Sequence, residues 1–242
     1  MNQVSTARSD SWKGLLSALI IIAVWLASLI FALSAELSRV PTGLIVLMML
    51  WQTFLYTGLF ITAHDAMHGA VFPKNKRVNK FFGVLSVSLY ALFSYALLLD
   101  KHWRHHRFPG TDQDPDFHDG RNRGFWRWYF HFMFTYIGWK QILGMAILFN
   151  VLNHLLGIPT LNLLLFWVAP ALLSTLQLFY FGTFLPHREL EQPFSDKHHA
   201  RSNDYSILLS FLSCYHFGYH WEHHAYPYVP WWKLPSVRSQ GQ

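Results

Sequence analysis

An all-α integral membrane protein is what this sequence predicts, with four transmembrane helices in two hairpins, a re-entrant or interfacial segment, and a cytoplasmic helical cap carrying histidine clusters. Three observations predict it. Of the 242 residues, 52% are hydrophobic and only 13% charged, whereas soluble domains carry roughly 25% charge. Long uncharged stretches recur along the chain. Eight of the fifteen histidines fall into three short clusters outside those stretches.

Gly14 to Ala35 and Pro41 to Ala63 contain no Asp, Glu, Lys or Arg, and each reaches the length of about 20 residues that a helix needs to cross a bilayer. They form the first predicted hairpin. Phe81 to Leu99 is also uncharged, but it lies between the first two histidine clusters, and two full spans do not fit between His68 and His102. It is therefore expected to be a shallow re-entrant or interfacial segment. The uncharged run Gln141 to Pro186 is too long for one span and contains the turn signal Gly157-Ile158-Pro159-Thr160. It reads as the second hairpin. Its first helix is expected to start near Ile137, with Lys140 at the interface, and its second to run from Leu161 to Leu185 with a bend at Pro170.

Lys and Arg concentrate between the hairpins, from Lys74 to Arg127, and after the second, from Arg188 to Arg238, while the connector Glu36 to Val40 holds only Arg39. Positive residues accumulate in cytoplasmic loops. Both termini and all three clusters are therefore predicted to face the cytoplasm. The net charge of +6 and pI near 9.5 fit attraction to anionic lipid heads beside apolar spans, and no nucleic-acid partner is expected. The single cysteine, Cys214, excludes an internal disulfide and a cysteine-built metal site. Residues 1–242 are read as one membrane-embedded domain, with 1–10 and 236–242 as flexible ends. The first ten residues show no cleavable signal pattern.

The clusters are His64-x-x-x-His68, His102-x-x-His105-His106 and His220-x-x-His223-His224. Residues three or four apart share a helix face, so each cluster is expected to aim its imidazoles at a common point. The first resembles half of a zinc protease motif, but Asp65 stands where that motif has Glu. One catalytic zinc would use three protein ligands, so eight histidines supply two ions. Nitrogen-rich, carboxylate-poor ligation suits Fe, Cu or Zn, and affinity order does not choose among them. Asp65, Asp114, Asp116 and Glu222 are candidate carboxylates for holding the other ring nitrogen of a ligating imidazole. His118 and His216 are candidates for that supporting role or for substrate contact, His216, one turn before His220, also being placed to ligate, and the isolated His131 and His154 read as structural.

These residues make the chain similar to the membrane fatty acid desaturase and hydroxylase superfamily of di-iron oxygenases. His64 to Gly69, His105 to His118 (HHRFPGTDQDPDFH), Phe181 to Arg188 (FGTFLPHR) and His216 to Trp232 (HFGYHWEHHAYPYVPWW) resemble more narrowly the bacterial β-carotene ketolases. The resemblance covers nearly everything from the second helix onward. It implies a ninth ligand at the cytoplasmic end of the last transmembrane helix, the place His187 occupies, with Thr183 one turn earlier facing the same way and able to hold a water. It also implies two iron ions, O2 as co-substrate, electrons from a reduced ferredoxin-like donor, and a carotenoid reaching the site from the bilayer. The implied reaction takes the C4 methylene of a β-ionone ring to a ketone through two hydroxylations and loss of water. A fatty acyl desaturase or a carotenoid ring hydroxylase is the alternative within the same chemistry. A non-catalytic, histidine-rich membrane metal-binding or transport protein is the alternative outside it, although transport favours polar groups near mid-membrane and these histidines gather at one face.

Overall fold

A computed structural model describes residues 11–120 and 123–238. Among them there is no strand. The labelled helices are α1 (Ser11–Leu33), α2 (Thr42–Met67), α3 (Lys76–Ala91), α4 (Tyr95–Arg107), α5 (Phe125–Tyr136), α6 (Trp139–Leu155), α7 (Thr160–His187), α8 (Ile207–Cys214), α9 (His220–Ala225) and α10 (Leu234–Arg238).

Three helices, α1, α2 and α7, are long and apolar enough to cross a membrane, and the α3–α4 and α5–α6 pairs bring the number to as many as five if each pair is one broken span. The first predicted hairpin is present as α1 and α2. The third predicted span is shorter than expected: α6 has 12 α-helical residues and a five-residue π turn, and it meets α5 at 86°. Ile137 is extended at that corner, so the helix starts two residues later than the sequence suggests. The predicted re-entrant segment is a helix, a sharp bend of 104° and a second helix. Leu92 makes the bend in the left-handed region, and Ser94 caps α4 by accepting the Leu97 N–H. Gly83 allows the close approach, because a Cβ there would stand 2.3 Å from the Tyr95 ring.

The second half of α2 is the core of the molecule. From Leu55 to Met67 every residue but Phe60 is buried, against α1, α3 and α7. Buried polar groups tie these helices together. Thr57 Oγ1 lies 2.9 Å from Ser174 Oγ and donates to Gln177 Oε1 at 2.6 Å. Asn162 Nδ2, at the start of α7, donates to carbonyls at and just beyond the end of α1, including Leu33 at 3.1 Å and Ala35 at 2.8 Å. At the other end Gly14 of α1 lies against the Val71 carbonyl, where a Cβ would be 2.4 Å away. The start of α1, the end of α2 and the end of α7 therefore share one end of the bundle.

Where a bend is expected at Pro170 the helix runs on with a π turn, Leu164–Val168, directly ahead of the proline, and a second π turn, Tyr180–Phe184, precedes Pro186. Proline lacks the N–H and its ring crowds the carbonyl four residues earlier. The widened turn relieves both without ending the helix. Residues 236–238 of the expected flexible tail lie in α10, where Arg238 reaches Glu222 and Asp204. Residues 1–10 and 239–242 lie outside the described residues.

Candidate metal centre

Four elements deliver nine histidines to one place. α2 continues past its apolar run and carries His64, with His68 as its cap residue. α4 carries His102, His105 and His106, α7 ends on His187, and α9 carries His220, His223 and His224. To aim α9 inward the chain must reverse after α8, and it does so through Tyr215 and His216, both left-handed at φ 48° and 62°. Such conformations are strained for residues with a side chain. Here Tyr215 is held over Gly58, where a Cβ would meet its hydroxyl at 2.6 Å.

The imidazoles form two sets of four, each set with ligand atoms within 4.8 Å of one another: His64, His68, His102 and His223, and His105, His187, His220 and His224. The sequence expectation that each cluster points at one place needs correcting. The second and third clusters each divide between the sets: the adjacent His223 and His224 point about 100° apart on their helix and go to different sets, while the four-residue pairs His64–His68 and His220–His224 stay together. His106 lies between the sets, its Nε2 2.9 Å from that of His223 and its ring stacked on His224 at 4.3 Å.

The donor set fits metal ions. Nε2–Nε2 separations are 2.6 Å for His68–His102, 3.1 Å for His105–His224 and 3.1 Å for His220–His224. Two nitrogens each about 2.1 Å from one ion, at right angles, stand about 3 Å apart. Nε2 of both His64 and His187 is buried with no hydrogen-bond partner among the described residues, a costly arrangement unless the lone pair is taken up by a metal ion. Two rings are held from behind. His105 Nδ1 donates to Asp114 at 2.9 Å, and His187 Nδ1 donates to the His199 carbonyl at 2.7 Å. Both bonds fix the tautomer that leaves Nε2 free to bind a metal.

Of the other sequence candidates, Asp114 alone is hydrogen-bonded to an imidazole, and it also accepts the Gly110 and Asp116 N–H groups. Asp65 Oδ1 is 3.8 Å from His64 Nδ1, too far for a hydrogen bond, while Oδ2 accepts the Trp231 N–H at 3.2 Å. It thus ties α2 to the C-terminal segment. Glu222 bonds Ser202 and Arg238 and steadies α9 from outside. Asp116 accepts the Tyr136 hydroxyl, and burial pushes its carboxyl up to about 6 against the pull of His105. His118 lies apart from the imidazole sets and accepts the Gly120 N–H through Nδ1. His216 also lies apart, between Tyr219 and Trp231. His131 and His154 are exposed. Sequence reasoning missed the His199 carbonyl and Tyr136, and no spacing signal points to either.

Against the histidines lies a cavity of about 790 Å³, its open mouth included. His64, His102, His105 and His220 form its polar end, joined by Thr183 and Asp116. Phe60, Phe93, Leu98, Phe132, Met133, Leu178 and Phe217 supply apolar walls. Gly182 is required there, since a Cβ would stand 2.0 Å from the Phe217 ring.

Apolar helices whose ends converge on buried imidazoles define a membrane protein with a histidine-built metal site. The chain belongs to the fatty acid desaturase family, whose profile, described as "Fatty acid desaturase", matches residues 37–240. It is 46% identical over 222 residues to a "Beta-carotene ketolase" of Paracoccus sp., covering 91% of this chain and 90% of that one. A second Paracoccus "Beta-carotene ketolase" is 45% identical over the same shares. The "Zeaxanthin 4-ketolase" of Chlamydomonas reinhardtii is 42% identical over 92% of this chain and 50% of its own length.

Proposed function

We propose that the protein is a β-carotene 4-ketolase, oxidising the C4 methylene of a β-ionone ring to a ketone in ketocarotenoid biosynthesis. The observation that carries this reading is the cavity that joins apolar walls to an imidazole-lined end, in a chain 46% identical to a beta-carotene ketolase over nearly its whole length. A hydrocarbon ring suits such walls. The nine histidines would hold two iron ions, one in each set of four, with His106 between them. When bound, the iron pair supplies O2 activation and the oxidant for an inert C–H bond.

The chain's own residues position and enclose. Phe60, Phe93, Phe132 and Phe217 hold the ring, His105 and His187 are kept in register by Asp114 and the His199 carbonyl, and the apolar lining keeps water from the reacting carbon. Each hydroxylation consumes one O2, two electrons and two protons and releases one water, and the resulting geminal diol loses another. The electrons come from a reduced ferredoxin-like protein.

Four spans, α1, α2, α6 and α7, fit the geometry best, with the α3–α4 bend re-entrant. Tyr90 beside that bend donates to the Ala171 carbonyl within α7, and Gln141 near the start of α6 donates to Ala91. With Lys and Arg clustered at the histidine end, that end and both termini face the cytoplasm.

Expression in a bacterium that accumulates β-carotene, followed by mass analysis of its pigments, tests the function. The expected product has gained an oxygen and lost two hydrogens per modified ring. A new double bond, or a hydroxyl at another carbon as the end product, contradicts it.

A further inference from the structure

Asp116 is the one carboxylate among the residues lining the cavity. A substrate that enters as a hydrocarbon gives it no partner, and a carboxylate facing apolar walls is costly to keep. One of its oxygens, Oδ1, accepts the Tyr136 hydroxyl. The other, Oδ2, lies 3.8 Å from His105 Nδ1, which already bonds Asp114, and has no hydrogen-bond partner among the described residues. The backbone is fixed on both sides, with the Asp116 N–H on Asp114 at 2.9 Å and its carbonyl accepting the Trp128 indole N–H at 2.8 Å. The carboxylate is thus held beside the imidazoles with an acceptor to spare. Of the other hydroxyls in the lining, Tyr90 is engaged with the Ala171 carbonyl and Thr175 with Tyr129 and the Leu172 carbonyl, and Thr183 is a neutral group beside the charged one.

We infer that Asp116 is a binding residue for ring alcohols: it accepts a hydrogen bond from the C4 hydroxyl of the half-oxidised ring and retains that intermediate for its second oxidation. The proposal rests on the ketolase reading and deepens it. A reaction that stops at the alcohol needs no such anchor, whereas one that must oxidise the same carbon twice gains from binding the alcohol more tightly than the hydrocarbon. The hydroxyl donates and the carboxylate accepts, so no bond is made or broken at Asp116. Tyr136 is a positioning residue, fixing the carboxylate through Oδ1.

The test compares the parent with Asp116→Asn, which keeps a weaker acceptor, Asp116→Leu, which has none, and Tyr136→Phe. Pigments are analysed from a β-carotene-accumulating host, and purified iron-loaded proteins are titrated with 4-hydroxy-β-carotene and with β-carotene by quenching of tryptophan fluorescence. The 4-hydroxy to 4-keto ratio is expected to rise in the order parent, Asn, Leu. Preference for the alcohol in binding should fall about tenfold in Asp116→Leu, the weight of one hydrogen bond to a charged group, and Tyr136→Phe should give a smaller shift in the same direction. An unchanged product ratio with unchanged binding preference overturns the anchor, including where total pigment conversion falls, and leaves the ketolase reading standing. Should Asp116→Leu fail to fold, Asp116→Asn and Tyr136→Phe decide by the same ratio. A parent that makes no C4-oxygenated pigment overturns both readings together.

Discussion

His105 shows how single side chains set the chemistry of this site. Asp114 accepts the hydrogen bond of its Nδ1–H at 2.9 Å and leaves Nε2 to the metal set. Removing such a support lowers metal affinity 10–100-fold in other metalloproteins. Asp114→Asn is therefore expected to weaken iron binding by about that factor in a competition titration against a chelator, with the helical circular dichroism unchanged. Equal affinity in parent and variant would mean the ring is oriented by packing alone. His216 supplies a pH dependence of another kind. Burial lowers its pKa to about 4, below the roughly 6.5 of an exposed imidazole, so the unfolded chain takes up the proton first as pH falls. Its effect on stability is absent above about pH 6.5 and grows as a loss from there down to about pH 4. His216→Phe keeps an aromatic ring between Tyr219 and Trp231 and cannot titrate. The drop in thermal midpoint between pH 7 and pH 5 should be smaller in this variant than in the parent. Equal drops would show that His216 does not set the dependence.

Among the elements, α2 and α7 divide the work of spanning and of delivering ligands. The contact between them is closed by Thr57, Ser174 and Gln177. Interhelical hydrogen bonds in membranes contribute on average about 0.6 kcal/mol and at most about 1.7. Thr57→Val should accordingly lower stability by about 1 kcal/mol in detergent unfolding while leaving iron content intact, since no histidine depends on that hydroxyl. Loss of iron together with stability would place Thr57 in the support of the site. Much of this level is legible in the sequence. The uncharged runs mark α1, α2 and α7 to within a few residues, and the histidine spacings mark α4 and α9 as helical. The two π turns of α7 are not legible, because only the proline that follows each of them leaves a mark. The corner between α5 and α6 escapes for another reason: Ile137 and Gly138 interrupt a segment whose apolar character does not change across the bend. Asp65 and Glu222, embedded in the clusters, read from the sequence as supports behind imidazoles, and the structure has them hold the C-terminal segment and α9, because sequence adjacency does not fix which way a carboxylate points.

Taken as a whole, the molecule is a bundle of apolar helices built to bring distant parts of the chain to one end. His64 and His223 are separated by most of the sequence, yet their rings lie 4.4 Å apart. Local pattern identified the residues and left their division into two sets to the tertiary packing. The same packing places the apolar cavity against the imidazoles. The most direct test is the metal content of the purified, iron-reconstituted protein, measured by elemental mass spectrometry alongside the His102→Ala and His105→Ala variants. The account predicts two irons per chain in the parent and loss of bound iron in each variant, since the two residues belong to different sets. A single metal per chain, or full iron retained in both variants, would contradict it.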